Sequence, residues 1–210
     1  MKRTIIIAIT LCISISSFAQ MKFGIKTGAN ISKLSGIDMG NGGGVTAGNN
    51  FTSGFLLGGY ANYSFSRLLG IQPELDFSMQ GGKNPDIKTL GIKGGILRFN
   101  YMNLPLLLDI KPFKSSFSLL AGPQFGYCVN RSFYDGYIQS DKDYKDFDFS
   151  VVFGFQFYVT KNLVLGLRYN HGLIQSLKFD YDIEFEGVNL SFTAKGSRNI
   201  VLQLSAGWTF

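Results

Sequence analysis

Between Ile200 and Phe210 the chain alternates almost without a fault. Ile200, Leu202, Leu204, Ala206, Trp208 and Phe210 fall on one face, and Val201, Gln203, Ser205, Gly207 and Thr209 on the other. A side-chain period of two belongs to extended strand. One face is apolar and aromatic, the other mostly small or polar, so such a strand separates a greasy medium from a polar one. Its length also matters, because about 9–11 tilted residues carry a β-strand across a bilayer.

The same period recurs upstream. From about Met21 to Leu34, Phe23, Ile25, Thr27, Ala29 and Ile31 oppose Lys22, Lys26, Gly28 and Asn30. A second run spans Phe55 to Phe65. In the third, Leu69, Ile71, Pro73, Leu75, Phe77 and Met79 oppose Gly70, Gln72, Glu74, Asp76, Ser78 and Gln80. Further runs cover Leu97 to Lys111, Phe117 to Val129, Phe147 to Val159, and the stretch opening at Leu163. Two irregularities stand out. Pro73 lacks the N–H that a central strand needs, which points to a local bulge. The fourth run changes phase, with Leu97, Phe99 and Tyr101 odd but Leu104, Leu106, Leu108 and Ile110 even. One inserted residue near Met102-Asn103, a β-bulge, would bring all seven to one face.

The connections alternate short and long. Ser66–Leu68, Pro112–Ser116 and Thr160–Asn162 are tight, whereas Ser35–Gly54, Gly81–Ile96 and Asn130–Asp146 are long and polar. Short periplasmic turns and long external loops characterise outer-membrane barrels. The final connection breaks the pattern. Leu177, Phe179, Tyr181, Ile183 and Phe185 continue the odd phase of the seventh run, Val188, Leu190, Phe192 and Ala194 the even phase of the last, and Glu186-Gly187 sits between them. We expect one long hairpin projecting beyond the membrane, its rising arm carrying Lys178, Asp180, Asp182, Glu184 and Glu186. Two extra membrane strands, giving ten, are the alternative.

The amino-terminal end agrees with export. Lys2 and Arg3 precede an apolar stretch from Thr4 to Ile15, and Ser17-Phe18-Ala19 has small-x-small spacing. Residues 1–19 therefore read as a secretory signal and 20–210 as one β-barrel domain, the apolar run being too short to span a bilayer as helix. Cys12 follows Leu11, where a lipobox needs a small residue. Past the signal Cys128 is the sole cysteine, which leaves no intrachain disulfide. Its place on the inner face reads as small-residue packing.

The expected fold is an all-β, eight-stranded antiparallel up-and-down transmembrane barrel in the cell outer membrane. A closed sheet pairs every backbone group and so tolerates lipid. The charge pattern follows: Lys26, Glu74, Asp76, Arg98, Asp148 and Arg168 head the polar lumen list, with Lys22, Gln72, Gln80, Asp109, Gln124 and Gln156. Eight strands leave a bore that side chains fill, so these groups should plug the lumen. Tyr63, Phe65, Tyr101, Tyr127, Phe157, Tyr169, Trp208 and Phe210 lie near strand ends, where aromatic girdles form. A soluble lipocalin-like barrel would show similar alternation. The signal, the loop lengths and the final aromatic separate the two. Trp208 and Phe210 also fit the assembly signal of such barrels.

Several motifs carry a family resemblance: Tyr101-Met102-Asn103-Leu104-Pro105-Leu106-Leu107-Leu108, Leu120-Ala121-Gly122-Pro123, Gly154-x-x-Phe157, Leu167-Arg168-Tyr169 followed by Gly172-Leu173, and Gln203-Leu204-x-x-Gly207-Trp208-x-Phe210. On these the chain resembles the PorT-like outer-membrane β-barrel family, whose founding member is associated with export of proteins across the outer membrane. The resemblance implies a barrel and no particular chemistry. The long final hairpin departs from it.

Chemistry is sparse. Removing Lys2 and Arg3 leaves 18 basic against 14 acidic residues, a net +4, too scattered for nucleic acid but compatible with lipopolysaccharide phosphates. His171 is the single histidine, and no serine stands at the spacing a His-dependent nucleophile requires. Glu74 and Asp76 share a face but read as partners of lumen cations. Gly40–Gly44 lacks the Lys-Ser/Thr of a phosphate loop. No metal-ligand spacing and no cofactor motif occurs. The sequence thus points to a non-enzymatic barrel with a structural or binding role, its partners being outer-membrane lipids and a protein met at the external loops. A component of protein export or a narrow channel is the alternative, and a lipid-modifying enzyme a more distant one.

Overall fold

The computed structural model describes residues 21–35, 50–83, 95–112, 116–134, 145–174, 177–185 and 188–210. Nine strands lie among them: β1 (Met21–Ser35), β2 (Thr52–Ser64), β3 (Leu69–Lys83), β4 (Ile96–Ile110), β5 (Phe117–Tyr134), β6 (Phe147–Tyr158), β7 (Leu163–Gly172), β8 (Leu177–Phe185) and β9 (Val188–Thr209). Each of β1 to β6 pairs antiparallel with the next, β7 pairs with β9, and β9 returns to β1. The ring closes as an eight-stranded antiparallel barrel, with β9 as the eighth stave. The proposed signal, residues 1–19, lies outside the described residues, as do most of the three long connections.

The alternation becomes an inside and an outside. Phe23, Ile25, Phe55, Leu57, Ile71, Leu75, Leu104, Leu106, Phe153, Phe155, Leu202 and Leu204 point outward and are exposed, while Gln72, Glu74, Asp76, Asp109 and Arg168 are buried within. Soluble monomers rarely expose contiguous apolar patches beyond a few hundred Å². An apolar mantle around a charged bore needs lipid as its outer solvent.

The fourth strand departs from the sequence-based expectation. It keeps one phase throughout, with Phe99, Tyr101, Asn103, Leu107 and Asp109 buried inside and Leu104, Leu106 and Leu108 outside. The irregularity belongs to its neighbour. Asn100 pairs with Asn130 and Tyr101 with Cys128, so the extra residue is Val129 of β5. Tyr101 is consequently no girdle residue but packs inside with Leu34, Phe99 and Cys128. The bore accepts apolar groups here because eight strands leave space that must be filled.

Pro73 produces no bulge either. The β2–β3 ladder goes from Tyr60–Glu74 to Tyr63–Ile71, and Pro73 itself pairs in register with Leu106 of β4. The strand keeps its register and forgoes pairing with β2 locally.

The final connection adds a hairpin to the barrel, not two staves. β8 pairs only with the first part of β9, from Lys178–Lys195 to Phe185–Val188. The turn residues Glu186-Gly187 and the side chains of residues 175–197 lie outside the description. The barrel ladder reaches His171–Ile200. Between these two ladders the rising arm leaves the strand at Leu173 and Ile174, and a register shift falls at Leu177/Lys178. The arm is therefore two strands, not one.

The charged lumen as the candidate functional site

β3 and β7 stand four staves apart in a ring of eight, on opposite walls. Their side chains meet across the bore. Arg168 donates through Nη1 to Glu74 Oε2 at 2.6 Å and through Nη2 to Glu74 Oε1 at 2.9 Å. This two-pronged contact suits the planar guanidinium. Lys26 of β1 pairs with Glu74 and also with Asp76 Oδ2, at 2.8 Å. Two cations and two carboxylates are thereby balanced, all four buried. Buried charge persists only when paired and hydrogen-bonded.

A polar chain continues toward the short-turn end. Gln72 Nε2 donates to Glu74 Oε1 at 2.6 Å, and Asn62 Nδ2 donates to Gln72 Oε1 at 2.9 Å and to Asp109 Oδ2 at 2.7 Å. Lys111 Nζ closes it, 3.1 Å from Asp109 Oδ2 and 2.7 Å from Ser64 Oγ. Nearby, the Tyr60 and Thr209 hydroxyls are 2.6 Å apart. Sequence reasoning named Gln72 and Asp109 but missed Asn62 and Lys111. The parity of Asn62 on the second run was a usable signal; Lys111 lies just past its strand and carried none.

Of the predicted lumen residues, the structure brings Lys26, Glu74, Asp76 and Arg168 together. Asp148 is also buried within but stands apart, its Oδ1 without a partner. Arg98 does not belong to the lumen. It pairs in register with Gly81 on the outward parity of β4 and is half-buried, with Nη1 3.5 Å from Met79 Sδ. The cause is the single phase of β4: once Phe99 faces inward, Arg98 must face outward. Lys22 keeps inward parity but is exposed at the end of β1. Trp208 faces outward between Ile25 and Leu163, and the Phe210 N–H donates to the Phe23 carbonyl at 2.8 Å. His171 faces outward, its Nδ1 3.2 Å from the Tyr169 hydroxyl and its ring stacked on that tyrosine.

Arg98 forms part of a different feature. At the long-loop end, Lys33, Lys83, Arg98 and Arg198 all occupy outward register positions, on β1, β3, β4 and β9. Lys33 Nζ lies 5.3 Å from the centre of the exposed Phe51 ring, and Asn50 bridges to Lys83. A basic rim thus borders the apolar mantle along one side of the barrel. No group of three or more metal-ligating side chains occurs among the described residues.

The model of the outer membrane protein beta-barrel domain matches residues 18–178, most of the chain. The chain belongs to that family. It is an outer-membrane protein. Among solved structures it is similar to Neisserial surface protein A, at 16% identity and a TM-score of 0.52, covering 90% of this chain and 97% of that one. It is also similar to the attachment invasion locus protein Ail of Yersinia pestis, at 16% identity and TM-score 0.49, covering 91% and 99%. OprG from Pseudomonas aeruginosa matches at 15% identity and TM-score 0.46, covering 90% and 95%. No curated protein matches.

Proposed function

We propose that this barrel is a non-enzymatic structural and binding protein that works at its outer surface, its lumen being a plug. The observation that carries the reading is the Arg168–Glu74 contact between opposite walls, braced by Lys26. A bore bridged by a buried, charge-balanced cluster offers no continuous water path. Binding then falls to the external loops and to the hairpin of β8 and β9. Among the described residues β8 has β9 as its only neighbour, and an open strand edge recruits a partner by strand addition.

The basic rim supports outer-membrane lipids as a second partner. Four outward cations at the border of the apolar mantle match the phosphates of lipopolysaccharide, and charge-assisted contacts of this kind are the strong ones. Within the family we place the chain with the PorT-like members, on the motifs quoted above, with residues 1–19 as the export signal and Trp208 and Phe210 as the assembly signal. A role in protein export is the second reading, favoured by that resemblance.

The deciding test is conductance of the purified protein in planar bilayers. Absence of steady channels, with channels appearing in Glu74→Ala, supports the plug. Stable channels in the unaltered protein would sink it. Mass analysis of lipid A from cells with and without the protein tests the non-enzymatic reading, which a protein-dependent change in acylation would overturn.

A further inference from the structure

Above the balanced cluster, the long-loop half of the bore is built differently. Asn103 of β4, Gly126 of β5 and Asp148 of β6 form one inward row by register. Ser150 of β6 pairs with Gly172 of β7, whose backbone meets that of Asn199 in β9. Each row sets a glycine between two polar side chains. At Gly126 a Cβ would come within 2.7 Å of Asn103 Oδ1 and 3.4 Å of Asp148 Cβ. At Gly172 it would come within 2.9 Å of the Asn199 carbonyl oxygen. The glycines let the flanking groups approach closely.

Several polar atoms there lack partners. Asp148 Oδ1, Ser150 Oγ, Asn199 Oδ1 and Asn170 Oδ1 are all buried with no hydrogen-bond partner, as are the amide nitrogens of Asn103 and Asn170. Asn170 lies one step below, pairing with Val152 and Val201. Buried polar groups in native proteins are nearly always satisfied. Asp76 Oδ1 and Asp109 Oδ1 beside the balanced cluster are unpaired too, so the four oxygens mark space for a small polar ligand and charge is what sets this end apart. The ligand's charge follows from comparison within the bore. Glu74, Asp76 and Asp109 each have a lysine or arginine in contact. Asp148 is faced by the Asn199 amide and the Phe149 backbone N–H, and no described cation pairs with it.

We propose that Asp148, Ser150, Asn170 and Asn199 form a binding site for a single small monovalent cation, held by one carboxylate and neutral oxygens. Hard cations take carboxylate, hydroxyl and amide oxygens, and one unit of positive charge neutralises the one unbalanced carboxylate. Asn199 also ties the site to the opposite wall, its Nδ2 lying 3.4 Å from the Tyr101 hydroxyl.

The test is the heat-induced gel-shift midpoint of the purified protein in detergent, in sodium or potassium chloride and in N-methyl-D-glucamine chloride at equal ionic strength. A ligand bound only by the folded state raises the midpoint. The unaltered protein should gain a few degrees in sodium or potassium, Asp148→Asn should lose that gain, and Ser150→Ala and Asn199→Ala should reduce it. The two alanine variants keep the experiment readable if Asp148→Asn does not fold. Equal midpoints in all three salts, or an undiminished gain in Asp148→Asn, would overturn the site. A response to calcium with none to sodium or potassium would overturn the single-charge assignment.

Discussion

The two halves of the bore solve one problem in two ways. Toward the short turns, every buried carboxylate meets a cation, and the amides of Asn62 and Gln72 link the pairs into a chain. Toward the long loops, Phe99, Tyr101, Leu34 and Cys128 pack together beside Asp148, a buried carboxylate with no described cation in contact, and amides with unpaired atoms. Each carboxylate of the first half is charge-paired, although Asp76 Oδ1, Asp109 Oδ1 and Arg168 Nε have no hydrogen-bond partner. The second mixes hydrocarbon with a carboxylate whose partners are neutral, the Asn199 amide and the Phe149 backbone N–H. Charge pairing in the first half is what our plug proposal rests on, and the uncompensated carboxylate of the second is what the proposed cation site rests on.

The comparison breaks most severely at Glu74. Glu74→Gln leaves two buried cations facing Asp76 alone, and removing one partner of a buried ion pair costs about 3–5 kcal/mol. Urea unfolding in lipid vesicles should show a loss of that size. The double replacement Glu74→Leu with Arg168→Met should be far milder than the sum of the singles, because paired removal strands no Arg168 charge. Additive losses would show that the two side chains do not act as a unit.

Next in size is Tyr101→Ala in the long-loop half. It empties a buried aromatic site, for which about 3–5 kcal/mol is the usual upper range, reduced here by adjoining polar space that water can fill. We expect about 2 kcal/mol, below the Glu74 loss. A larger loss would mean that the apolar cluster, not the ion cluster, is the main interior brace. Pro73→Val should stabilise slightly, by about 0.5–1.5 kcal/mol, through a new ladder hydrogen bond to β2. The smallest effect on folding should come from Arg98→Gln, within about 0.5 kcal/mol, since Arg98 lies outside the bore. The same change should weaken retention of lipopolysaccharide during purification. A large folding loss would restore Arg98 to an internal role.

How much of this was legible in the sequence differs by strand. On β1, β3 and β7 polar and apolar residues alternate cleanly, and parity alone placed Lys26, Glu74, Asp76 and Arg168 on one interior surface. Parity says nothing of height or of distance across the ring, so the Arg168–Glu74 contact could be anticipated only as a class. On β4 the apolar residues occupy both faces, and the assumption that aromatic means lipid-facing shifted the phase by one. That assumption misplaced Arg98 and Tyr101 together. The real bulge, at Val129, carried no signal because the residues around it fit either phase. Pro73 misled in the opposite way. A missing donor suggested an added residue, yet the strand kept its register and gave up the local pairing.

The ninth strand serves two structures at once. Its first part is one arm of the hairpin with β8, and its second part is the stave that closes the ring between β7 and β1. The backbone runs between them as a single strand, Val188–Thr209. A tug on the hairpin along the strand is therefore delivered to the closing seam lengthwise. Loaded that way, the ladders on both sides resist as a set, since no terminal bond takes the strain before the others. The barrel is gripped at its seam by its own handle, and the direction in which that handle is pulled is the one in which the seam holds best.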